Sequence, residues 1–119
     1  MTKHRHVEDE HAVEGSPKHM NRYYSDDKTK CRVTFSLPAA AAPSARSVAV
    51  AGTFSDWSVD RYPMARSENG DFSRELELEA GKEYEFRFVI DGVRWENAGN
   101  ADRYVWNDYA QCDNSVIVT

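Results

Sequence analysis

An all-β antiparallel sandwich of about seven short strands is the fold class that this sequence predicts. Three observations predict it. From Cys31 onward, apolar and polar residues alternate with the period-two pattern of half-buried strands. Turn chemistry at Asn69-Gly70, Ala80-Gly81-Lys82 and Asp91-Gly92 interrupts these runs at short intervals. No convincing amphipathic helix occurs after residue 30. A chain of 119 residues has room for one such core and no second domain.

Residues 1–28 read as a flexible tail, and the domain proper is expected over residues 29–119. All four histidines (His4, His6, His11 and His19) fall in the tail, among charges of both signs. Its sparse apolar residues show no sustained period and bury too little surface to offset the entropy of ordering. One short helical turn is expected around Met20 to Tyr24. His4-x-His6 has chelating chemistry, but an acidic tail without supporting groups favours a solvated segment, and no metal is expected.

In the domain, Val33, Phe35 and Leu37 alternate with Arg32, Thr34 and Ser36 in a strand that Pro38 ends. Residues 39–45 contain Pro43 and read as a loop. The next strand, at about 46–53, carries Val48-Ala49-Val50-Ala51, uncharged and small or β-branched as in a strand packed on both sides. Gly52 allows a turn or a close approach, and Ser55-Asp56 is turn chemistry that leads into Trp57. Tyr62-Pro63-Met64-Ala65 reads as a short edge strand. Phe72, Leu76 and Leu78 then face inward, with Glu75, Glu77 and Glu79 outward. Tyr84, Phe86, Phe88 and Ile90 face inward, with Glu85, Arg87 and Val89 outward. Val93 to Glu96 follows the Asp91-Gly92 turn, a polar and aromatic loop comes next, and Asn114 to Thr119 closes as the last strand. Together these strands specify an immunoglobulin-like antiparallel β-sandwich.

Composition excludes several function classes. The net charge is −5 and no Lys/Arg block stands out, so nucleic acid and anionic membranes are not expected partners. No apolar run approaches the ~18 residues that span a bilayer, and the N-terminus lacks a secretory apolar region, so a cytoplasmic location is expected. Cys31 and Cys112 have no metal-ligand spacing and are expected as thiols. Each begins a terminal strand, and such strands can run side by side, which makes the two candidates for neighbours. The glutamates of the Phe72–Ile90 hairpin read as a solvent face, and the folded part has no histidine to activate a nucleophile. No phosphate-binding loop appears either. No catalytic residue and no cofactor are therefore expected.

Binding is better supported. Sugars present flat C–H faces rimmed by hydroxyls, and a site for them needs an exposed aromatic plate with hydrogen-bonding groups at its edge. The candidate plates are Trp57, Trp95 and Trp106, with Arg87, Asp113 and Asn114 as polar partners. From its loop setting, Trp57 is equally a plug over the core or an open plate. Trp95 depends on hairpin register. A two-residue loop at Asp91-Gly92 pairs Phe88 with Trp95 and turns the indole into the core. A three-residue loop pairs Val89 with Trp95 and puts the indole on the outer face with Arg87.

The stretches Val48-Ala49-Val50-Ala51-Gly52-Thr53-Phe54-Ser55-Asp56-Trp57, Phe86-Arg87-Phe88-Val89-Ile90-Asp91-Gly92 and Asn114-Ser115-Val116-Ile117-Val118 resemble the isoamylase N-terminal ("early set") domain. This is the family 48 carbohydrate-binding module of glycogen-branching and debranching enzymes and of the AMP-activated protein kinase β subunit. The resemblance covers residues 30–119 and implies an immunoglobulin-like sandwich that binds α-1,4-glucan or glycogen. It implies stacking by Trp57 and Trp95 and hydrogen bonding by Arg87, Asp113 and Asn114. Arg87 stands at the family's lysine, Asp113 at the first of its paired asparagines, and Trp95 one residue later than its second tryptophan. The (β/α)₈ barrel of the enzymes, about 250 residues, does not fit in this chain. The expected function is therefore a non-catalytic α-glucan-binding module. The alternative is a regulatory β-sandwich that docks a protein partner of glycogen metabolism.

Overall fold

The computed structural model describes residues 19–119, and the readings of residues 1–18, His4-x-His6 among them, lie outside these. Nine strands are present among the described residues: β1 (Asn21–Tyr24), β2 (Lys30–Leu37), β3 (Val48–Gly52), β4 (Ala65–Arg66), β5 (Phe72–Glu79), β6 (Glu83–Ile90), β7 (Arg94–Glu96), β8 (Arg103–Asn107) and β9 (Cys112–Val118). They form two antiparallel sheets, one in the order β1-β2-β5-β4 and the other β3-β6-β9-β8, with β7 also pairing to β6. The sheets enclose one core, as the alternation requires. Val33, Phe35 and Leu37 of β2 and Phe72, Leu76 and Leu78 of β5 face Val48 and Val50 of β3, Phe86, Phe88 and Ile90 of β6, and Ile117 of β9. The Phe86 ring meets those of Phe35 and Phe88 edge-on, with centroids 4.9 and 5.8 Å away.

All of β3 is buried, as its uncharged sequence predicts. One edge pairs with β6. The other is covered by the segment around Pro63, where Val50 N–H donates to the Tyr62 carbonyl and Met64 N–H to that of Val48. The strand expected over Tyr62–Ala65 is thus divided. Residues 62–64 lean on the second sheet and only Ala65–Arg66 join the first. Pro63 lacks the donor that a continuous ladder needs.

Two strands exceed the seven expected. The helical turn anticipated at Met20–Tyr24 is strand β1, paired with β2 from Asn21↔Thr34 to Tyr24↔Cys31. Its anchors are remote in sequence. Arg22 forks onto the Asp102 carboxylate at 2.7 and 3.0 Å and also donates to the Val118 carbonyl, while the Tyr24 hydroxyl donates to that of Thr119. Strand β8 lies in the stretch expected as loop, where Tyr104-Val105-Trp106 supplies three strong β-formers in a row. The cysteines are not neighbours. Both are free thiols, Cys31 facing the core from the first sheet and Cys112 facing outward from the second.

The Arg22–Asp102 pair bolts the edge of one sheet to the closing strand of the other. Burial pushes the Asp102 carboxyl upward, but the Arg22 fork and the Val118 N–H outweigh it and hold it below the usual carboxylate range. A depressed folded value stabilises the fold fully above the unfolded pKa of about 3.9, and that contribution is lost as pH falls through the folded value. The pair is partly open to solvent, so Arg22→Ala costs about 1 kcal/mol at neutral pH. Thermal unfolding from pH 7 to pH 2 checks this: the gap between wild type and Arg22→Ala narrows below pH 4 to what the Val118 bond leaves, and a gap unchanged at pH 2 contradicts it.

Candidate functional site

Side chains alternate across a strand, so the residues of β6 that do not enter the core, Glu85, Arg87 and Val89, define the outer face of the second sheet. Strand β6 shares one of its edges between two partners. Strand β9 takes Glu83 to Phe86 and β7 takes Phe88 to Ile90. Arg87 is the residue left between the two ladders, and the outer-face side chains around it build the site.

Trp95 reaches this face because the hairpin adopts the three-residue loop. Val89 pairs with Trp95 and Ile90 with Arg94. Asp91 and Gly92 turn the chain with φ of 54° and 76°, and the Val93 N–H closes the turn onto the Ile90 carbonyl at 3.1 Å. Val93 is thereby the extra residue and is 79% exposed. The Asp91 carboxylate accepts the N–H groups of Ser47 and Arg46, which hold it below the usual carboxylate range and tie the turn to the start of β3. Beyond β7, Asn97 Nδ2 donates to the Asp113 carbonyl, and the Ser115 hydroxyl donates to Asn97 Oδ1 and accepts the Ala98 N–H. These bonds lock the Trp95 strand against β9.

Trp57 arrives from the other side. After Gly52 the chain makes a 3-10 turn over Thr53–Ser55, and Phe54 drops into the end of the core against Phe35, Tyr62 and Tyr84. The plug is therefore Phe54, and Trp57 stands outside the core cluster. Asp56 and Trp57 both adopt left-handed backbone, with φ of 52° and 60°. A bulky residue there stores about 1–3 kcal/mol of strain, which the surroundings must hold. The Trp57 N–H bonds the Gly52 carbonyl at 2.9 Å, and the Ser55 hydroxyl closes the turn on Gly52.

The two indoles meet with centroids 6.3 Å apart and planes inclined at 54°. The Arg87 guanidinium carbon lies 5.8 Å from the Trp57 ring centre and 5.0 Å from that of Trp95. Attraction between the cation and the two ring faces gathers the three side chains, at about 0.5–2 kcal/mol per ring. Arg87 also donates through Nη1 to Cys112 Sγ at 3.2 Å. Outward-facing Val89 is only 1% exposed, so this part of the sheet is covered.

Of the polar partners expected, Arg87 and Asn114 share the outer face with the indoles. Asn114 is 2% exposed and donates through Nδ2 to Glu85 Oε1 at 2.9 Å. Arg87 Nε and Asn114 Oδ1 are buried without hydrogen-bond partners among the described residues. Asp113 pairs with Trp106 across β9 and β8, one residue out of phase with Asn114, and so lies on the opposite face. The backbone of Asp113 serves the site through Asn97. Trp106 is 59% exposed, its Nε1 bonded to Asp108, and it stands apart from the other two indoles. Glu85, Asn97, Cys112 and Ser115 did not stand out as site residues in the sequence. The signal for Glu85 and Cys112 is period-two parity with Arg87 and Asn114; Asn97 and Ser115 carry no local signal.

Residues 42–118 match the family model described as the glycogen recognition site of AMP-activated protein kinase. No curated protein matches the chain.

The approach of Gly52 to β6 yields a direct test of how the first indole is held. A Cβ at Gly52 would stand 2.3 Å from the Glu85 carbonyl and 2.9 Å from the Phe54 ring. Gly52→Ala therefore forces β3, Phe54 or β6 to shift, at about 1–3 kcal/mol. A urea unfolding curve should show a lower midpoint at unchanged slope. A midpoint equal to wild type would show that the turn carrying Trp57 accommodates a methyl group freely.

Proposed function

The chain belongs to the family of the glycogen recognition site of AMP-activated protein kinase, and from that we propose that the Trp57–Arg87–Trp95 face binds α-1,4-glucan without catalysing any step. The observation that carries this reading is the pairing of two inclined, half-buried indoles around one guanidinium, with Trp57 in strained backbone. Strain at a bulky residue is expected to persist where the side chain is used. Each indole offers a hydrophobic face to the C–H groups of a glucose ring, and Arg87 offers N–H donors to hydroxyls. Consecutive glucoses of an α-1,4 chain turn relative to one another, so plates inclined at 54° suit that curvature better than a flat ribbon. Asn114, 2% exposed and bonded to Glu85, lies beneath the polar rim and not on it. Asp113 acts through its backbone, by holding Asn97 and hence the end of β7.

An open aromatic site of this kind binds at about 1 μM to 1 mM, or about −8 to −4 kcal/mol. Titration with maltoheptaose, followed by tryptophan fluorescence, is expected to saturate in that range. Trp57→Ala and Trp95→Ala each weaken it about tenfold or more, about 1.4 kcal/mol or above. Absence of any response at millimolar sugar, or a response indifferent to Trp57→Ala, refutes the assignment. Incubation with maltodextrin should yield no cleavage products.

A further inference from the structure

Among the described residues, two buried side-chain atoms lack partners, and they are complementary: Arg87 Nε is a donor and Asn114 Oδ1 an acceptor. They lie on one face at successive positions. Phe86↔Ser115 is the last pair of the β6–β9 ladder, and Arg87 and Asn114 are the next residues along. What sets the direction of the Asn114 amide is Glu85. A carboxylate only accepts, so the group facing Glu85 Oε1 at 2.9 Å must be the Asn114 NH₂. The amide oxygen is thereby turned away from Glu85 and is left without a partner.

We propose that Glu85 is a positioning residue of this site: it holds the Asn114 amide with its oxygen toward Arg87, as the acceptor that receives the guanidinium once a glucan displaces it from the indoles. This rests on the reading that the Trp57–Arg87–Trp95 face binds glucan. In the free protein Arg87 leans on Cys112 Sγ, a weak acceptor, and on the two rings. A glucan that takes over the ring faces displaces the guanidinium from them, and the Asn114 oxygen is the stronger acceptor waiting beside it. Without Glu85 the amide is free to turn over and to set its NH₂ against the N–H groups of Arg87, donor against donor. The donor at the rim is then misplaced although every residue that touches sugar is intact.

The test combines sugar titration with side-chain NMR on the full chain. Glu85→Ala is expected to weaken maltoheptaose binding about tenfold, the order of one hydrogen bond to a charged group. Glu85→Gln, which keeps an acceptor, restores most of that loss. In an Asn114→Ala background the Glu85→Ala effect disappears, because its route is gone. Independently of sugar, Glu85→Ala shifts the Asn114 NH₂ and Arg87 Nε–H signals, while Glu85→Gln leaves the Arg87 signal near its wild-type position. Unchanged signals in Glu85→Ala, wild-type affinity in that variant, or a full loss that persists in the Asn114→Ala background each overturn the proposal. If the wild-type chain binds no maltoheptaose, the glucan reading falls. The two side-chain signals then decide alone whether Glu85 orients Asn114 and Arg87.

Discussion

The site depends on one constraint, that β6 has a single free edge and two strands that need it. On its other edge β6 is paired with β3 from Phe86 to Ile90. On the shared edge, β9 occupies Glu83 to Phe86 and β7 occupies Phe88 to Ile90. The two partners must diverge where they meet, and the residue at the divergence is Arg87. A gap in a sheet ordinarily exposes backbone to water. Here it gives an outward-facing side chain room to lie between groups from both flanking strands, Trp95 on one side and Cys112 and Asn114 on the other. The inward neighbours of Arg87, Phe86 and Phe88, are fully buried, so the strand cannot slide to relieve the gap.

Trp57 is held by a different device, which meets the first at the same strand. Gly52 lets β3 run against the Glu85 carbonyl more closely than any side chain would permit. Phe54 then enters the core, and the polypeptide has only Ser55 and Asp56 in which to turn before Trp57. Left-handed backbone at Asp56 and at Trp57 itself completes that turn. The strain is local, whereas what opposes its release is a core ring and a backbone bond to Gly52. A flexible loop could have carried an indole to the same region, but holding it there would cost about 1–2 kcal/mol per residue fixed.

Most of the sandwich was legible because its strands have one wet face and one dry one. The alternation through Val33, Phe35 and Leu37, and through Phe86, Phe88 and Ile90, identifies the inward residues without any knowledge of the partner strand. Strand β1 was not legible for the complementary reason. Its inward positions hold Arg22 and Tyr24, whose partners Asp102, Val118 and Thr119 lie far away in sequence. The residue types that gather around Arg87 were legible, but their geometry was not. Asp91-Gly92 is compatible with a loop of two or three residues, and the choice follows from contacts of Asp91 with Ser47 and Arg46 that no local pattern reveals. The parity of Asp113 was likewise hidden. Adjacent residues of a strand face opposite ways, and only the register of β8 on β9 shows that Asn114, not Asp113, shares a face with Arg87.

The same geometry limits how this surface can change. The outer face of β6 is not an independent decoration on a scaffold, because Val89 and the residues paired with Val89 and Arg87, Ala49 and Ala51, are buried there as thoroughly as core residues. A larger residue at any of these positions would have to displace what covers it, and a polar one would be buried without a partner. The side chains that complete the face are held instead by polar contacts, Arg87 on Cys112 and Asn114 on Glu85, which leave Arg87 Nε and Asn114 Oδ1 unsatisfied. Arginine in place of an ammonium at the divergence fits this argument. A guanidinium is planar, stacks on aromatic faces and carries donors in several directions, so one residue can serve two rings and a sulfur where a point charge would serve fewer. At position 87 the arginine thus answers to the shape of its surroundings as much as to their charge.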